Sequence, residues 1–190
     1  LQYNDVFKAG QTIEGSITIL GVYPSQDAVM LDQQKETELE KGREIVELER
    51  YLKEQKVEGY VKTKSGIFIK MDTPGAGAKA DSGMSVTVNY TGTLKSGTKF
   101  DSNVDTAFGH VGPMDFVVGV GGVIAGWDEA FPYFNKGGKG KIYIPAMLGY
   151  GANPQGEKLP AFSDLVFDVE VLDVKAPAKP EELSAGKPSH

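Results

Sequence analysis

Residues 119–127 read Gly-Val-Gly-Gly-Val-Ile-Ala-Gly-Trp and include the chain's only tryptophan. The glycines let the backbone approach a neighbouring group closely, and Val123 and Ile124 offer apolar side chains beside a backbone N–H. A tryptophan that begins a short helix and faces a concave sheet would form the flat floor of a pocket. Because a tryptophan beside valine and isoleucine is more commonly part of an ordinary core, the flanking sequence has to decide.

Short motifs flank this stretch on both sides. Upstream are residues 88–92 (Val-Asn-Tyr-Thr-Gly) and 97–102 (Gly-Thr-Lys-Phe-Asp-Ser). Downstream are residues 144–145 (Ile-Pro), 148–152 (Leu-Gly-Tyr-Gly-Ala) and 165–170 (Leu-Val-Phe-Asp-Val-Glu). Each motif alone is unspecific, but the ordered set closely resembles the FKBP-type peptidyl-prolyl cis–trans isomerases, the macrolide-binding immunophilins. The resemblance implies rotation about X–Pro bonds in unfolded or extended polypeptides, macrolides as competing ligands and no cofactor.

The resemblance also implies roles for individual residues. Trp127 would be the floor under the proline ring, and Tyr150 would donate its hydroxyl to a substrate carbonyl. The Asp101 carboxylate would face a carbonyl, and Phe167 would complete the aromatic basin. The implied substrate-binding residues, among which the Ile124 N–H is a donor and Leu159 closes over the ligand at a loop tip, are Tyr90, Phe100, Met114, Phe116, Val123, Ile124 and Leu159. Each has a plain structural alternative, such as a turn aspartate or a core phenylalanine.

The chain departs from the family pattern at two places. Met114 stands where the family often has an aromatic ring, with Phe116 two residues on, and methionine keeps such a wall apolar but softer. The loop between Asp101 and Met114 is several residues longer than in minimal members, which leaves the alignment of Met114 and Phe116 open by a few positions. Gln155 and Lys158 lie near the tip of a second long loop. These changes bear on substrate preference and inhibitor affinity more than on activity.

Composition excludes several other functions. The formal net charge of −6 and the pI near 5.0 argue against nucleic acid as a partner, because there is no basic stripe to displace counterions. The absence of cysteine excludes disulfides and thiolate chemistry. The only histidines are His110 and His190, so a histidine triad or metal cluster is not expected. The glycines of residues 119–122 do not match a dinucleotide-binding fingerprint.

The pattern of short strands and one helix predicts an α+β fold, with an antiparallel sheet wrapped around one short helix and an N-terminal hairpin and helix extension. Strands are expected over residues 65–71, 84–90, 98–100, 114–118, 139–144 and 164–174. The helix is expected over residues 125–131, with Pro132 ending it. We expect residues 61–175 to form the isomerase domain and residues 176–190, rich in Ala, Pro, Lys and Glu, to be a disordered tail.

Residues 1–60 are expected to form an accessory segment. Period-two alternation over residues 12–21 predicts a strand, residues 23–27 a turn and residues 28–31 a second strand, with an irregular leader as the alternative. Apolar spacing over residues 36–56 predicts an amphipathic helix that packs either on its own chain or in a homodimer interface. In the family, such a helix often precedes the domain of secreted and periplasmic members and serves dimerisation.

Two questions stay open from the sequence. The chain begins at Leu1 rather than at methionine, so we expect a missing N-terminus, which would allow a secreted, periplasmic or membrane-anchored protein, with a cytoplasmic one as the alternative. The rival function is a non-catalytic binding module or holdase-type chaperone on the same fold. Retention of Tyr150, Asp101 and Trp127 favours the enzyme, because a pure binder could dispense with the hydroxyl and the carboxylate.

Overall fold

The computed structural model describes residues 21–176, and within them a seven-stranded sheet is antiparallel at every pairing. Its strands run in the order β1-β2-β6-β7-β3-β4, with β5 also paired to β3. They are β1 (Tyr60–Lys62), β2 (Phe68–Thr73), β3 (Ser85–Leu94), β4 (Lys99–Ser102), β5 (Met114–Val117), β6 (Lys139–Ile144) and β7 (Leu165–Lys175). The expected α+β fold class is confirmed, although β1 was not predicted.

Strand β3 organises the sheet. It pairs with β7 from Ser85 to Leu94, while its other edge is shared, first by β5 and then by β4. Its buried residues alternate strictly, with Val86, Val88, Tyr90 and Gly92 on one face. Alternation of this kind turns one face of a strand to the core, so β3 delivers Tyr90 to the inner face of the sheet.

Helix α2 (Ala125–Ala130) packs on that inner face. Gly126 permits the contact, because a Cβ there would overlap the buried Ile144 side chain, whose Cδ1 would lie only 2.8 Å away. A 3₁₀ turn with Pro132 follows directly, over Phe131–Tyr133. Proline has no N–H to continue the hydrogen-bond ladder, so the helix ends within one residue of its predicted end at residue 131.

The outer face of β2, β6 and β7 is covered as well. Phe68, Tyr143 and Val166 are buried there, in a cluster separate from the inner core. Leu48 and Leu52 of α1 (Gln26–Glu54) complete this cluster and are fully buried. Strands covered on both sides read as continuous apolar runs, which explains why buried residues are adjacent in β6 and β7.

Helix α1 begins ten residues before the predicted start at residue 36, so the predicted strand over residues 28–31 is wrong. The Ser25 hydroxyl accepts a hydrogen bond from the Ala28 N–H (3.3 Å), an N-cap that starts the helix. Ala28, Met30 and Leu31 are good helix formers, and a short apolar run has no periodicity that separates helix from strand. The predicted first strand, over residues 12–21, lies almost wholly outside the described residues.

The end of α1 is fixed by backbone geometry. Lys56 has a left-handed φ of 55°, its N–H donates to the Lys53 carbonyl (3.1 Å), and the Val57 N–H donates to the Leu52 carbonyl (2.9 Å). This pair of bonds is a Schellman motif, and Val57 also packs against the outer cluster. The motif turns the chain from the helix into β1.

The chain divides between Thr37 and Glu38 into two compact units. Residues 21–37 of the first contain the N-terminal part of α1, and residues 38–176 of the second contain the rest of α1 and the whole sheet. No helix within residues 21–176 is both long and apolar enough to cross a membrane. The predicted tail beyond residue 176 lies outside the described residues.

Candidate active site

Aromatic rings surround Trp127 on the inner face of the sheet. Its ring centroid lies 5.2 Å from that of Tyr90 and 5.1 Å from that of Phe167, both edge to face. Phe116 and Phe131 lie 5.5 Å and 5.2 Å away in tilted arrangements. Edge-to-face pairs at these distances are favourable, so the indole is held in a fixed orientation.

A cavity of about 380 Å³ opens beside the indole. All four residues predicted as catalytic line it, together with four of the predicted substrate-binding residues and two glycines. The lining residues are Tyr90, Asp101, Met114, Gly121, Gly122, Val123, Ile124, Trp127, Tyr150 and Phe167. A concave, mostly apolar site with a few polar groups is typical of small-ligand and peptide-segment recognition.

Three predicted residues lie outside this lining. Phe116 is buried beneath Trp127 and packs on Phe131 with centroids 4.9 Å apart. Phe100 packs edge to face on Phe167 at 5.6 Å, where Gly92 makes room for both rings. Leu159 is 2% exposed and belongs to the inner core instead of standing at an open loop tip. These side chains therefore support the cavity from behind.

Asp101 is the centre of a small polar network. Its Oδ2 accepts a hydrogen bond from the Tyr90 hydroxyl (2.7 Å), and its Oδ1 accepts one from the Ser102 N–H (2.9 Å). Burial, helped by the adjacent carboxylate, holds the pKa of the Tyr90 hydroxyl well above its usual range. Tyr90 therefore stays a donor that fixes the orientation of the carboxylate at the cavity.

Two further donors at the cavity have no acceptor among residues 21–176. Burial and the Asp101 charge raise the pKa of the Tyr150 hydroxyl, and no side-chain hydrogen bond contributes to that shift. The Ile124 N–H, at the start of α2, has no hydrogen-bond partner among the described residues. Both residues line the cavity, so both donors are available to a bound carbonyl. The Trp127 Nε1–H is buried and also lacks a partner within residues 21–176.

Asp128 is a structural residue that sequence reasoning missed. Its Oδ1 and Oδ2 accept hydrogen bonds from the Gly119 and Gly121 N–H groups, both at 2.8 Å. Both glycines have left-handed φ values, of 76° and 75°. An acidic residue at a helix start is commonly solvated, and only the spacing of Asp128 from the two glycines hints at this role. The carboxylate thus closes the glycine-rich turn that forms the cavity rim.

His110 was also missed as a neighbour of the site. Its Nε2 lies 2.9 Å from Asp101 Oδ1, and its Nδ1 lies 3.0 Å from the Phe108 carbonyl oxygen. Each ring nitrogen of His110 therefore faces an oxygen that can accept a hydrogen bond. Because the long loop before β5 determines where His110 lies, its position in the sequence gave no signal of this contact. Residues 21–176 contain no group of three or more residues placed to bind a metal ion.

Comparison with known proteins defines the class. Residues 77–172 match the family model of the FKBP-type peptidyl-prolyl cis-trans isomerases. The FK506-binding protein of Neisseria meningitidis serogroup B is 44% identical over 109 residues, which cover 57% of this chain and 96% of that protein. The FKBP-type peptidyl-prolyl cis-trans isomerase FkpA of Aeromonas hydrophila is 41% identical over 123 residues, covering 65% of this chain and 43% of the relative.

A solved structure leads to the same class. The crystal structure of FkpA from Escherichia coli superposes with a TM-score of 0.59 at 30% identity, covering 81% of this chain and 75% of that one. The chain belongs to the FKBP-type peptidyl-prolyl cis–trans isomerase family. Membership supports the catalytic function over the non-catalytic binding module or holdase that the sequence left open.

Proposed function

We propose that the cavity beside Trp127 binds the X–Pro segment of an extended polypeptide and lowers the torsional barrier of its imide bond. That barrier, about 18–20 kcal/mol, comes from amide resonance, so its reduction needs no nucleophile or metal. An apolar, poorly hydrated site disfavours the charge-separated planar amide relative to the twisted one. The observation that carries the proposal is the cavity itself, which combines an aromatic floor with donors that have no partner in the described part of the chain.

Each polar group then has a distinct role. The Tyr150 hydroxyl and the Ile124 N–H hold carbonyl oxygens that flank the proline, while the prolyl ring lies against the indole of Trp127. Asp101, held by Tyr90, faces a substrate carbonyl across the cavity. Phe167 and Met114 form apolar walls that keep water away from the rotating bond. Hydrogen bonds that hold the flanking carbonyls while the imide bond rotates favour the twisted state over either planar isomer.

Removal of the polar groups tests these roles. Tyr150→Phe is expected to lower kcat/KM on a short prolyl peptide about 3- to 10-fold, because one hydrogen bond to the substrate is lost. Asp101→Ala is expected to lower it at least as much, since it also leaves the hydroxyl of the buried Tyr90 without its acceptor. Tyr133→Phe, at a tyrosine that is 40% exposed and does not line the cavity, is the matched control. Equal rates for Tyr150→Phe and Tyr133→Phe would remove Tyr150 from the mechanism.

We also propose that macrolides compete for the same cavity. Support comes from relatives named FK506-binding proteins and from the dimensions and apolar lining of the site. Met114 provides a flexible wall, so affinity for a rigid ligand is expected to be lower than with an aromatic ring at that place. Titration with FK506 should quench or shift Trp127 fluorescence and abolish peptide isomerisation at the same occupancy. Binding without loss of activity would contradict a shared cavity.

We further propose that residues 61–175 form the isomerase domain, because they contain every residue that lines the cavity. We propose that residues 1–60 mediate homodimerisation. Leu39 and Val46, seven residues apart on α1, are more than half exposed, and Leu31 is exposed as well. Sedimentation of Leu39→Glu/Val46→Glu against wild type tests the interface, with Glu47→Ala as the control. A monomeric wild-type protein would contradict dimerisation.

We infer a secreted, periplasmic or membrane-anchored location from the family members that carry a helix before the domain. Similarity to proteins named FkpA supports the inference. Fractionation of the source cells tests it. Recovery of the protein with the cytosol would overturn it.

A further inference from the structure

Glu44 is a buried acid on the face of α1 that packs on the sheet. It is 7% exposed, and its Oε2 accepts a hydrogen bond from the Met147 N–H (2.9 Å), 103 residues away in the sequence. Its Oε1 is buried without a partner among the described residues. Burial raises the pKa of this carboxyl, partly offset by the Met147 N–H, and the Asp164 charge adds to the rise. Burial of a carboxylate costs free energy. Because Leu48 and Leu52 already supply the apolar contact between α1 and the sheet, packing does not require a carboxylate at position 44.

The segment that Glu44 contacts leads into the cavity. Met147 lies in the 3₁₀ turn Ala146–Leu148, and Tyr150 follows that turn by two residues. The Ala146 N–H donates to Asp164 Oδ1 (3.1 Å), and Asp164 Oδ2 pairs with Lys95 at 2.5 Å. The first N–H groups of a helical turn have no acceptor of their own and favour negative charge. Two carboxylates therefore hold the start of this turn, one from the sheet domain's own loop and one from α1.

We propose that Glu44 is a positioning residue, which holds the 146–148 turn so that the Tyr150 hydroxyl is presented to the cavity. The inference rests on the proposed function of Tyr150. It makes the second half of α1 part of the support of the active site, in addition to its packing on the outer face of the sheet. Loss of the Glu44 oxygen frees the Met147 N–H and loosens the turn, while the cavity walls keep their own packing.

Substitutions in the full chain separate positioning from packing. Glu44→Ala is expected to lower kcat/KM on a prolyl peptide about 3- to 10-fold and to speed hydrogen exchange at the Met147 N–H. Glu44→Gln is expected to stay within about 2-fold, because an amide oxygen can still accept that bond. Glu44→Leu keeps apolar packing but has no acceptor, so it is expected to behave like Glu44→Ala. It therefore serves as the test if the Glu44→Ala variant does not fold. Glu47→Ala, an exposed glutamate of the same helix, is the control.

A double-substitution cycle decides whether Glu44 acts through Tyr150. If it does, Glu44→Ala or Glu44→Leu lowers the rate in the wild-type background but has little further effect in the Tyr150→Phe background. The reason is that the effects of substitutions at interacting residues are not additive. Equal losses in both backgrounds, or no loss in wild type, would overturn the inference while leaving the proposed function intact. If Tyr150→Phe alone keeps the wild-type rate, the proposed role of Tyr150 fails first and the inference fails with it.

Discussion

Tyr90 and Tyr150 show how single residues are tuned for this site. Tyr90 is buried and Tyr150 is partly buried near the Asp101 carboxylate, and burial is the largest cause of their raised pKa values. A neutral phenol can donate a hydrogen bond, whereas a phenolate cannot. The environment of each tyrosine therefore keeps its hydroxyl a donor well beyond neutral pH.

This tuning predicts a pH dependence of stability. Since the pKa of Tyr90 is higher in the folded than in the unfolded state, its contribution is fully present below about pH 10 and is lost as the pH rises further. Urea unfolding of wild type should therefore show stability falling above about pH 10, and Tyr90→Phe should show a shallower fall. Tyr143, whose pKa burial raises to about 12, and Tyr150, whose pKa burial also raises, remain in both proteins and contribute to the fall that is left. The same slope in both proteins would contradict the prediction.

At the scale of elements, the close packing of α2 on the sheet determines where Trp127 lies. Gly126 faces Ile144 of β6, and no side chain fits between them. The helix is only six residues long, so its position depends on tertiary contacts rather than on helix propensity. A shift of α2 would move Trp127 away from Tyr90 and Phe167.

Gly126→Ala is therefore expected to destabilise the fold by about 1–2 kcal/mol, because overlap with Ile144 outweighs the gain of up to about 1 kcal/mol in helix propensity. Activity should fall with it as the indole moves. The control is Gly42→Ala in α1, where a Cβ would have no neighbour within 4 Å, and which should stabilise by up to about 1 kcal/mol. Urea unfolding measures both. Stabilisation by both substitutions would contradict the packing explanation.

The elements also show what the sequence can predict. β6 matches its predicted bounds, and β5, β7 and α2 agree to within about one residue, because clear alternation or a proline marks their ends. The start of α1 was missed because Ala28 to Leu31 is too short a run to have a period. In the site, Met114 and Phe116 lie on the same face of β5. Met114 lines the cavity, whereas Phe116 is buried behind the lining, and the sequence does not show this difference in burial. The Glu44 contact spans 103 residues and left no local signal.

At the scale of the whole molecule, the described sheet has one helix on each face and two separate apolar clusters. The inner cluster builds the cavity, and the outer cluster attaches the second half of α1 to β2, β6 and β7. The covered outer face explains why removal of the N-terminal segment at residue 60 would cut through a core. The division between Thr37 and Glu38 falls outside that core.

Two shortened chains test this organisation. A chain that begins at residue 38 should keep the unfolding free energy of the sheet domain. One that begins at residue 61 loses Leu48 and Leu52 and should be less stable by about 3–6 kcal/mol, at about 1.5–3 kcal/mol for each buried leucine. It should also bind a hydrophobic dye through the uncovered Phe68, Tyr143 and Val166. Equal stability of the two chains would contradict a structural role for α1.

The proposed function requires that the aromatic cavity speeds rotation of a prolyl imide without bond-making chemistry. NMR exchange spectroscopy on a short X–Pro peptide, with a catalytic amount of the wild-type chain, tests it most directly. We expect the cis-to-trans and trans-to-cis rates to rise by the same factor, the equilibrium ratio to stay unchanged, and saturating FK506 to restore the spontaneous rates. Exchange at the spontaneous rate with wild-type protein present, or acceleration that a ligand in the cavity leaves untouched, would contradict it.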